Sequence, residues 1–478
     1  MGWNDELLIA ADPDQTYQRH LQQSIDVLDD PAAPRQGAAW RPVVVSYCGN
    51  GNLGADLRAA ETIRHVRHLV PGCRPRMTVL GRAIPFAQFD NTEQLAIDSY
   101  LPTFVKDRLV NADAVIVAEG SLFTSTFSDD LAMFFVAALA QRRRNGKPAI
   151  AFGIETDAMS ARLLAFVQEH IGGCSIFCRN RDSVASMQAH GLPAMLGADP
   201  AWAYGAPGAD SRALREARQT YGSDGAYVVI CPVNPFWWPV RLDRQKLEVF
   251  SATGRYRDTQ FNGAYFHCFD DSQRQRYEHY VQQYAAYIDW CRQRLNKVPV
   301  LLAMDGVDSV ICADINARVA IQTKVVPARA STPESIAALL GGADFVVSNR
   351  FHAAILALLG RVPCIAVSMD GRLEALYRDM GLDDLLLRTD SIALCAELQE
   401  LSTRLLEKGA AVRQTILLGH ALQLRRLGEM GRALVQAVQA SASHVRTLDA
   451  GLPWARYLPP LSPALQALLA ETSAEYCG

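Results

Sequence analysis

The chain has 478 residues, of which 49% are hydrophobic and 20% charged, a composition typical of a globular protein with sizeable cores. Its 47 basic and 50 acidic residues give a formal net charge of -3, and nucleic-acid binders normally carry a basic excess, so we expect no nucleic-acid partner. No uninterrupted apolar run approaches ~18 residues, so no membrane-spanning helix is expected. The polar, acidic start of the sequence does not read as a signal peptide. Eleven scattered cysteines fit free thiols in a reducing compartment, and we therefore expect a cytoplasmic protein.

Residues 1–41 are polar and end in a proline-rich stretch, which predicts a peripheral helix over 13–28 followed by a linker. From residue 42 onward, short β-branched runs alternate with longer helical runs. This alternation is typical of a parallel α/β sheet. The predicted strands of the first half are 42–48, 77–80, 112–117, 148–153, 175–178 and 194–196, and its clearest helices are 56–70 and 129–144.

An internal repeat of one structural unit indicates two similar domains. A strand, polar loop, helix, Gly/Pro turn and strand begin at Ala112, and the same order begins again at Ala343, about 230 residues later. We therefore predict two Rossmann-like doubly wound domains, over 42–222 and 223–390. The carboxyl ends of their strands would face a shared cleft, where such folds usually bind ligands.

The second domain is predicted to open with a strand at 226–231 and to contain a helix at 276–296. Between them, residues 232–269 (the aromatic segment) show no periodicity and are interpreted as a functional loop or lid. Residues 391–478 read as an amphipathic helix followed by a short terminal helix. We expect this helical tail to pack across both domains.

A glycine-rich turn follows the first strand of the first domain. Gly49, Gly51 and Gly54 let the backbone approach a ligand closely, and the helix that follows would attract an anion to its N-terminus. These glycines fit the offsets of a dinucleotide fingerprint, but Gly81 and Arg82 stand where its ribose-binding carboxylate is expected. A purely structural tight turn is the alternative.

The loop after the strand at 112–117 carries Glu119, which could act as a general base, followed by small and hydroxylated residues. The alternative role of this loop is to cap the next helix through Ser125, Thr126 or Ser128. Both roles are compatible with each other.

Arg179 directly follows a buried strand, where its planar guanidinium could hold a carboxylate or a phosphate. Only one of Arg179 and Arg181 should enter the cleft, and a surface ion pair with Asp182 is the alternative. Cys174 and Cys178 are interpreted as core thiols, because no second pair stands at metal-ligand spacing. No metal site is therefore expected.

Arg350 and His352 follow a strand end in the second domain and precede a helix. Because they are two residues apart, their side chains lie on one side of an extended chain. The guanidinium of Arg350, which could bind an anion, would then lie beside His352, whose side chain titrates near neutral pH. By contrast, His65 and His68 are interpreted as part of a solvated helix face, because they alternate with arginines.

Together these segments resemble the polysaccharide pyruvyl transferase family. The glycine turn matches that family's Gly-Asn-x-Gly-Asp-Glu motif, with Ala55 and Asp56 in its last two positions. Two further positions depart from the family's motifs: Glu119 stands in place of a glycine in its glycine loop, and Asn180 stands in place of an aspartate. The remaining matches are Arg179–Ser183 with Gly191, Ala198–Ala201, Arg350–Pro363 and Asp370–Arg372, so the resemblance covers about 42–210 and 335–385.

The resemblance implies a glycosyltransferase B-like architecture and the transfer of a pyruvyl group from phosphoenolpyruvate to two sugar hydroxyls as a cyclic ketal. It implies that His352 and Glu119 are catalytic, as general acid (or phosphate binder) and as proton acceptor. It further implies a glycan or lipid-linked glycan as the acceptor and phosphoenolpyruvate as the co-substrate, with no other cofactor. Assembly into a homodimer is compatible with the resemblance but does not follow from it. The expected donor-binding residues are Gly51, Asn52, Gly54, Gly120, Ser121, Arg179, Asn349 and Arg350.

Two adjacent indoles, Trp237 and Trp238, stand between prolines in the aromatic segment. We expect them either to stack on a sugar acceptor or to plug the domain against the C-terminal helices. Two further alternatives concern the whole protein. A glycosyltransferase would use a nucleotide sugar and would need a ribose-binding carboxylate such as Glu334 or Asp305, and a non-catalytic family member would only bind a glycan.

Overall fold

The computed structural model describes residues 6, 10–30, 39–80, 83–97, 100, 102–208, 211–222, 226–257 and 259–473. Gly81 and Arg82, which bear on the dinucleotide interpretation, lie outside the described residues. Within these ranges, no helix combines the length and apolar character that crossing a membrane requires.

The first half forms an eight-stranded sheet in which every pairing is parallel. Its strand order is β3-β2-β1-β4-β6-β7-β8, with β5 paired to β6. The central strands are buried on both faces, which explains why they read as apolar runs in the sequence. The strands are β1 Pro42–Val45, β2 Arg76–Leu80, β3 Glu93–Ile97, β4 Ala114–Val117, β5 Ser121–Phe123, β6 Ala149–Thr156, β7 Ser175–Cys178 and β8 Met195–Leu196.

Helices connect these strands, and several begin at side chains that cap them. Asn52 caps α2 by accepting a hydrogen bond from the amide of Ala55, and Ser128 caps α4 through Leu131, as the capping interpretation of that loop expects. The helices are α1 Pro13–Ile25, α2 Leu53–Leu69, α3 Pro102–Arg108, α4 Asp129–Arg144, α5 Ala161–His170, α6 Arg181–Ala189 and α7 Arg212–Tyr221, with 3-10 turns at Ala87–Phe89 and Pro200–Ala203.

The aromatic segment follows β9 (Tyr227–Cys231) and contains regular structure, unlike the irregular loop expected there. It forms a small antiparallel sheet, in the order β10-β12-β11, and one helix. Its strands have three residues each, too few to show the alternation by which a strand is recognised. The elements are β10 Val240–Leu242, α8 Arg244–Thr253, β11 Gln260–Asn262 and β12 Tyr265–His267.

The second half forms a six-stranded parallel sheet in the order β14-β13-β9-β15-β16-β17. The prediction of two Rossmann-like sheets is therefore confirmed. Its further strands are β13 Val298–Ala303, β14 Lys324–Pro327, β15 Phe345–Ser348, β16 Cys364–Ser368 and β17 Leu386–Arg388, and its helices are α9 Asp271–Leu295, α10 Asp308–Asn316, α11 Pro333–Gly342, α12 Phe351–Leu359 and α13 Gly371–Met380.

The C-terminal helices contact both halves. The long helix α14 (Leu394–Ser441) changes direction at Lys408, whose backbone is not helical, and α15 follows at Pro463–Ser473. His420 of α14 lies 3.0 Å from the carbonyl of Trp202 in the first half. Arg426 pairs with Asp379 of α13 at 2.6 Å. The tail thus connects the two halves, as predicted.

The interpretation of His65 as a solvated residue is wrong. Its ring is buried, with Nε2 2.6 Å from the carbonyl of Tyr457, and burial lowers the pKa of His65 to about 3. The partner lies 392 residues along the chain, so no local pattern could show that this face of α2 is covered. Cys174 and Cys178 are buried free thiols, as expected.

Candidate functional site

The carboxyl ends of strands from both sheets meet at one place. Leu53 at the start of α2 donates its amide to the carbonyl of Met304 at 3.1 Å. The adjacent Asn52 donates its side-chain amide to Asp305 at 2.9 Å. Farther along, the amide of Gly371 points to Asp157 at 3.5 Å. The two halves therefore contact each other through the loops in which the sequence places the site.

The glycine turn adopts a conformation that side chains would oppose. Gly49 and Gly51 have φ of 84° and 83°, in the left-handed region. Arg329 of the second half lies directly against Gly51, so a Cβ at Gly51 would collide with it, and it donates to the carbonyl of Asn50 at 3.1 Å. The turn thus serves as a contact between the halves, next to the buried N-terminus of α2.

Arg350 is held by carboxylates of its own half. Its Nε donates to Asp308 at 2.9 Å, Nη2 makes a second, shorter contact with Asp308, and Asp305 lies 3.9 Å away. Burial lowers the pKa of Arg350, but the two carboxylates outweigh this and raise it above its usual range. Burial raises the pKa of Asp308 to about 6. Among the described residues no carboxylate pairs with Nη1, which leaves that edge of the guanidinium for an anion.

Arg179 is enclosed more completely than Arg350. Its Nε and Nη2 donate to Glu155, its Nη1 donates to Asp199 at 3.0 Å, and its guanidinium lies 3.6 Å over the ring of Phe351. The surface ion pair with Asp182 is not formed, because Asp182 pairs with Arg378 instead. Arg179 therefore lies in the cleft, as predicted for one of the two arginines, but with both guanidinium edges already engaged.

His352 reaches across to the first half. Its Nε2 lies 3.6 Å from Asp199, while a Cβ at Gly54 would lie 2.5 Å from its Nδ1. Burial lowers the pKa of His352 below its usual value, against the opposing effect of Asp199. The structure thus brings together Arg179, Gly54 and His352, three residues that the sequence predicts separately.

Glu119 links two loops of the first half. One carboxylate oxygen accepts from the amide of Tyr47 at 3.1 Å and the other from the amide of Ser121 at 3.3 Å. The neighbouring Gly120 packs against Arg179, whose Nη1 would lie 2.9 Å from a Cβ there. Glu119 is half-buried at the end of β4, next to the cleft.

Asn349 uses its side chain inside the second half. Its oxygen accepts from the hydroxyl of Tyr284 at 2.7 Å, and its amide donates to the carbonyl of Val367 at 2.6 Å. The side chain is almost fully buried. In this conformation Asn349 therefore supports the loop that carries Arg350, while its predicted contact with a donor stays a prediction.

The aromatic segment closes over the first half. Val240 donates its amide to the carbonyl of Phe127 at 2.8 Å, and the hydroxyl of Tyr265 donates to Asp130 at 2.9 Å. Trp237 is buried and stacks on His267 with ring centres 4.1 Å apart, whereas Trp238 is half-buried against Phe127. The ring partners of the two indoles include His267 and Phe261 in the small sheet and Phe127 in the loop before α4. Whether they bind an acceptor or act as a plug stays a prediction.

Three charged residues in the cleft were missed from the sequence. Arg58 of α2 is buried and donates Nη2 to the carbonyls of Phe152 and Gly153 at 2.7 and 2.6 Å. Glu155 and Asp199 hold Arg179, as described above. Asp199 stood in a motif that was recognised, but neither Arg58 nor Glu155 carried a local signal.

The cavity beside Arg179 is small in this conformation. Bounded by Arg179, Asp199 and Phe351, it encloses about 10 Å³, roughly the room of one water molecule. Ligands of metabolite size occupy pockets of several hundred Å³. A ligand of that size therefore does not fit into this cavity in the present conformation. Within the described ranges, no group of three or more His, Cys, Asp or Glu side chains is arranged to hold a metal ion.

The contact between Gly54 and His352 gives a first test. We expect Gly54→Ala to displace the imidazole and lower turnover by up to roughly 10²-fold, because small misplacements of reacting groups are that costly. The gain in helix propensity of about 1 kcal/mol offsets only part of the overpacking cost, because the new Cβ would also lie 2.7 Å from the Cβ of His352, so the melting temperature should fall. Gly172→Ala is the matched control, because nothing lies within 4 Å of its Cβ position. Equal turnover in both variants would contradict the placement of His352.

Comparison with known proteins supports both the fold and the family. The family model described as polysaccharide pyruvyl transferase matches residues 52–371. A search of curated proteins found no significant match.

Two solved structures resemble the fold at low sequence identity. The Anabaena protein HepE, solved in complex with UDP-glucose, superposes with a TM-score of 0.52 at 10% identity, covering 84% of this chain and 99% of HepE. A putative UDP-N-acetylglucosamine 2-epimerase from Listeria monocytogenes superposes with a TM-score of 0.50 at 10% identity, covering 86% of this chain and 99% of the epimerase. The predicted glycosyltransferase B-like architecture is thereby confirmed.

Proposed function

The chain belongs to the polysaccharide pyruvyl transferase family, and on that premise we propose that this transferase uses phosphoenolpyruvate as its donor and a glycan or lipid-linked glycan as its acceptor. One observation carries the proposal above the others. His352 of the second half lies against Gly54 and Asp199 of the first half. Arg350, two residues before it, pairs with Asp308 and lies 3.9 Å from Asp305, which accepts a hydrogen bond from Asn52 of the glycine turn. A cationic group and a titrating group are thus assembled where the two sheets meet.

Phosphoenolpyruvate carries two anionic groups, a carboxylate and a phosphate, and the site offers matching positive groups. Arg350 contributes the guanidinium edge at Nη1, and the positive end of the α2 dipole favours an anion. The first-turn amides of Leu53 and Ala55 already donate to Met304 and Asn52. Arg179 is occupied by Glu155 and Asp199. It contacts the donor only if those ion pairs rearrange when the cleft opens and closes.

The residues of the site fit the proton movements of ketal formation. His352 gives a proton to the methylene carbon, which becomes the methyl group, and the adjacent carbon gains oxocarbenium character. An acceptor hydroxyl adds there, and its proton passes to Glu119. Phosphate then leaves with the bonding electrons of its C–O bond and takes the proton held by Glu119. The second hydroxyl closes the ketal, and its proton returns to His352. Donor and acceptor are converted to ketal and phosphate, with no other reactant needed.

Isothermal titration distinguishes this donor from a nucleotide sugar. We expect phosphoenolpyruvate to bind the full chain, and UDP-glucose and GDP-sugars not to bind. Phosphate release on adding a glycan mixture would support transfer. Binding of a UDP-sugar with no binding of phosphoenolpyruvate would overturn the proposal in favour of a glycosyltransferase.

The two indoles of the aromatic segment should respond differently to substitution. Trp237 is buried and stacked, so we expect Trp237→Ala to cost about 3–5 kcal/mol in the free energy of unfolding. Trp238 is half-buried at the contact with Phe127, so we propose it as the acceptor-binding ring once the cleft opens. Trp238→Ala should then raise the acceptor's KM while donor affinity is kept. Unchanged acceptor kinetics in Trp238→Ala would exclude the acceptor role.

A further inference from the structure

Three positively charged or titrating side chains, from three different parts of the chain, lie close to the carboxylate of Asp199. Arg58 of α2 lies 3.2 Å away through Nε, Arg179 lies 3.0 Å away through Nη1, and Nε2 of His352 lies 3.6 Å away. The carboxylate is almost fully buried, at 1% exposure. Arg58 and Arg179 belong to the same half as Asp199, whereas His352 arrives from the other half. The carboxylate therefore meets the imidazole only when the two halves are together.

The two ring nitrogens of His352 have different surroundings. Nε2 is enclosed, and among the described residues it has no hydrogen-bond partner closer than the carboxylate of Asp199. The side chain as a whole is 14% exposed, and Nδ1 lies on the edge of the ring that packs against Gly54. A ligand that enters beside Gly54 would therefore meet Nδ1 before Nε2.

We propose that Asp199 is a positioning residue, which holds His352 with a hydrogen on Nε2 and directs Nδ1 toward the donor. This inference rests on the proposed function, in which His352 transfers a proton. It also means that the acid is assembled by closure of the cleft, because Asp199 and His352 come from different halves.

The surroundings of Asp199 suit this role. Its other oxygen accepts from the amide of Ala201 at 3.0 Å, which fixes the carboxylate at the start of the 3-10 turn. Arg58 is anchored on two carbonyls of β6 and Arg179 on Glu155, so both guanidinium groups are fixed as well. Burial would raise the pKa of Asp199, but Arg58, His352 and Arg179 outweigh it and hold the pKa well below its usual range.

An ionised carboxylate at Nε2 has a defined effect on the imidazole. It accepts the Nε2 hydrogen in the neutral ring, leaving Nδ1 as the basic nitrogen, and it stabilises the imidazolium formed when Nδ1 takes a proton. Arg58 and Arg179, the other charged groups that face His352, oppose that protonation. The separation of 3.6 Å is slightly long for a hydrogen bond, and such contacts often shorten in the substrate complex.

Nitrogen NMR of the full chain tests the tautomer without any ligand. With ¹⁵N-labelled histidine, the ring of His352 is identified by its absence from the spectrum of His352→Gln. We expect the Nε2–H tautomer at neutral pH in the wild-type protein. The Nδ1–H tautomer would overturn the proposal. The measurement needs the folded His352→Gln variant only for the assignment, and it does not depend on the identity of the donor.

Substitution of Asp199 tests the kinetic consequence. An asparagine presents an NH₂ group to three donors, so we expect Asp199→Asn to change the His352 tautomer and to lower kcat by roughly 10²–10⁴-fold. The KM for phosphoenolpyruvate should stay within about threefold, since positioning a proton donor does not change ground-state binding.

Asp308→Asn is the matched control. It removes another buried carboxylate that pairs with an arginine of the cleft, and it should leave the His352 tautomer unchanged. A wild-type tautomer retained in Asp199→Asn would overturn the positioning role. A failure of phosphoenolpyruvate to bind the wild-type protein would instead count against the proposed donor and leave the tautomer result standing.

Discussion

Arg350→Ala should weaken the binding of phosphoenolpyruvate ten- to a hundredfold. The variant removes the guanidinium edge that the ion pair with Asp308 leaves for an anion. A charge-assisted contact with a desolvated anion contributes about 1.5–3 kcal/mol, which corresponds to that loss of affinity. Isothermal titration of the full chain with phosphoenolpyruvate measures the effect directly.

The substitution also leaves Asp308 buried without its cation, so a second variant is needed. Arg350→Ala combined with Asp308→Asn removes both charges and should fold well but still bind poorly. Recovery of affinity in the double variant would show that the uncompensated carboxylate, rather than a lost clamp, caused the effect. Arg318→Ala is the control, because it breaks an exposed ion pair with Glu278 far from the cleft.

Arg179 should behave differently from Arg350. Both of its guanidinium edges are engaged by Glu155 and Asp199, and the group is enclosed. Arg179→Ala should therefore cost about 3–5 kcal/mol in the free energy of unfolding, because it leaves two buried carboxylates with less compensation. Its effect on donor affinity is interpretable only at temperatures where the variant is folded.

His352→Asn should lower turnover by roughly 10²–10⁴-fold if His352 transfers a proton. The asparagine keeps a polar group against Gly54 and Asp199 but does not titrate. As a general acid, His352 acts in its protonated form, so activity in the wild-type protein should fall as pH rises through its pKa. Burial lowers that pKa, so this fall should begin below the ordinary histidine value near 6.5, before any effect of the bound donor's charge.

A pH–rate profile separates the two roles of His352. If His352 donates a proton, the pH–rate profile of His352→Asn should lose the limb assigned to the histidine. If His352 only binds phosphate, the variant should mainly show a raised KM. Retention of both limbs in His352→Asn would exclude proton transfer by this residue. His420→Asn serves as the control, because His420 is buried near Trp202 and has no contact with Asp199 among its described interactions.

Much of the architecture could be predicted because parallel strands buried on both faces read as continuous apolar runs. The repeated unit that begins at Ala112 and again at Ala343 then predicted two sheets. The structure confirms them, with β4 as the strand of the first unit and β15 as the strand of the second. The aromatic segment could not be predicted in the same way. Its strands are short, and within the described part of the chain they pair with each other, while Val240 donates its amide to Phe127.

The site was predictable only where its residues follow strand ends. Arg350 and His352 stand together in one loop, so their spacing showed the pair. Arg58 lies in the middle of α2, and its partners Phe152 and Gly153 are 94 and 95 residues away. Nothing local distinguishes such an arginine from one on a solvated helix face, and the same limit led to the wrong interpretation of His65.

The packing around Arg179 has a chemical consequence for the proposed reaction. The intermediate cation can be trapped by any nucleophile, and water is present in far greater amount than a sugar hydroxyl. The cavity beside Arg179 and Phe351 encloses only about 10 Å³, and Val240 and Tyr265 fasten the aromatic segment to the first half, so this conformation leaves little room for water beside Arg179. The partition between ketal formation and wasteful hydrolysis to pyruvate is then set by how tightly the two halves meet, rather than by any single catalytic group.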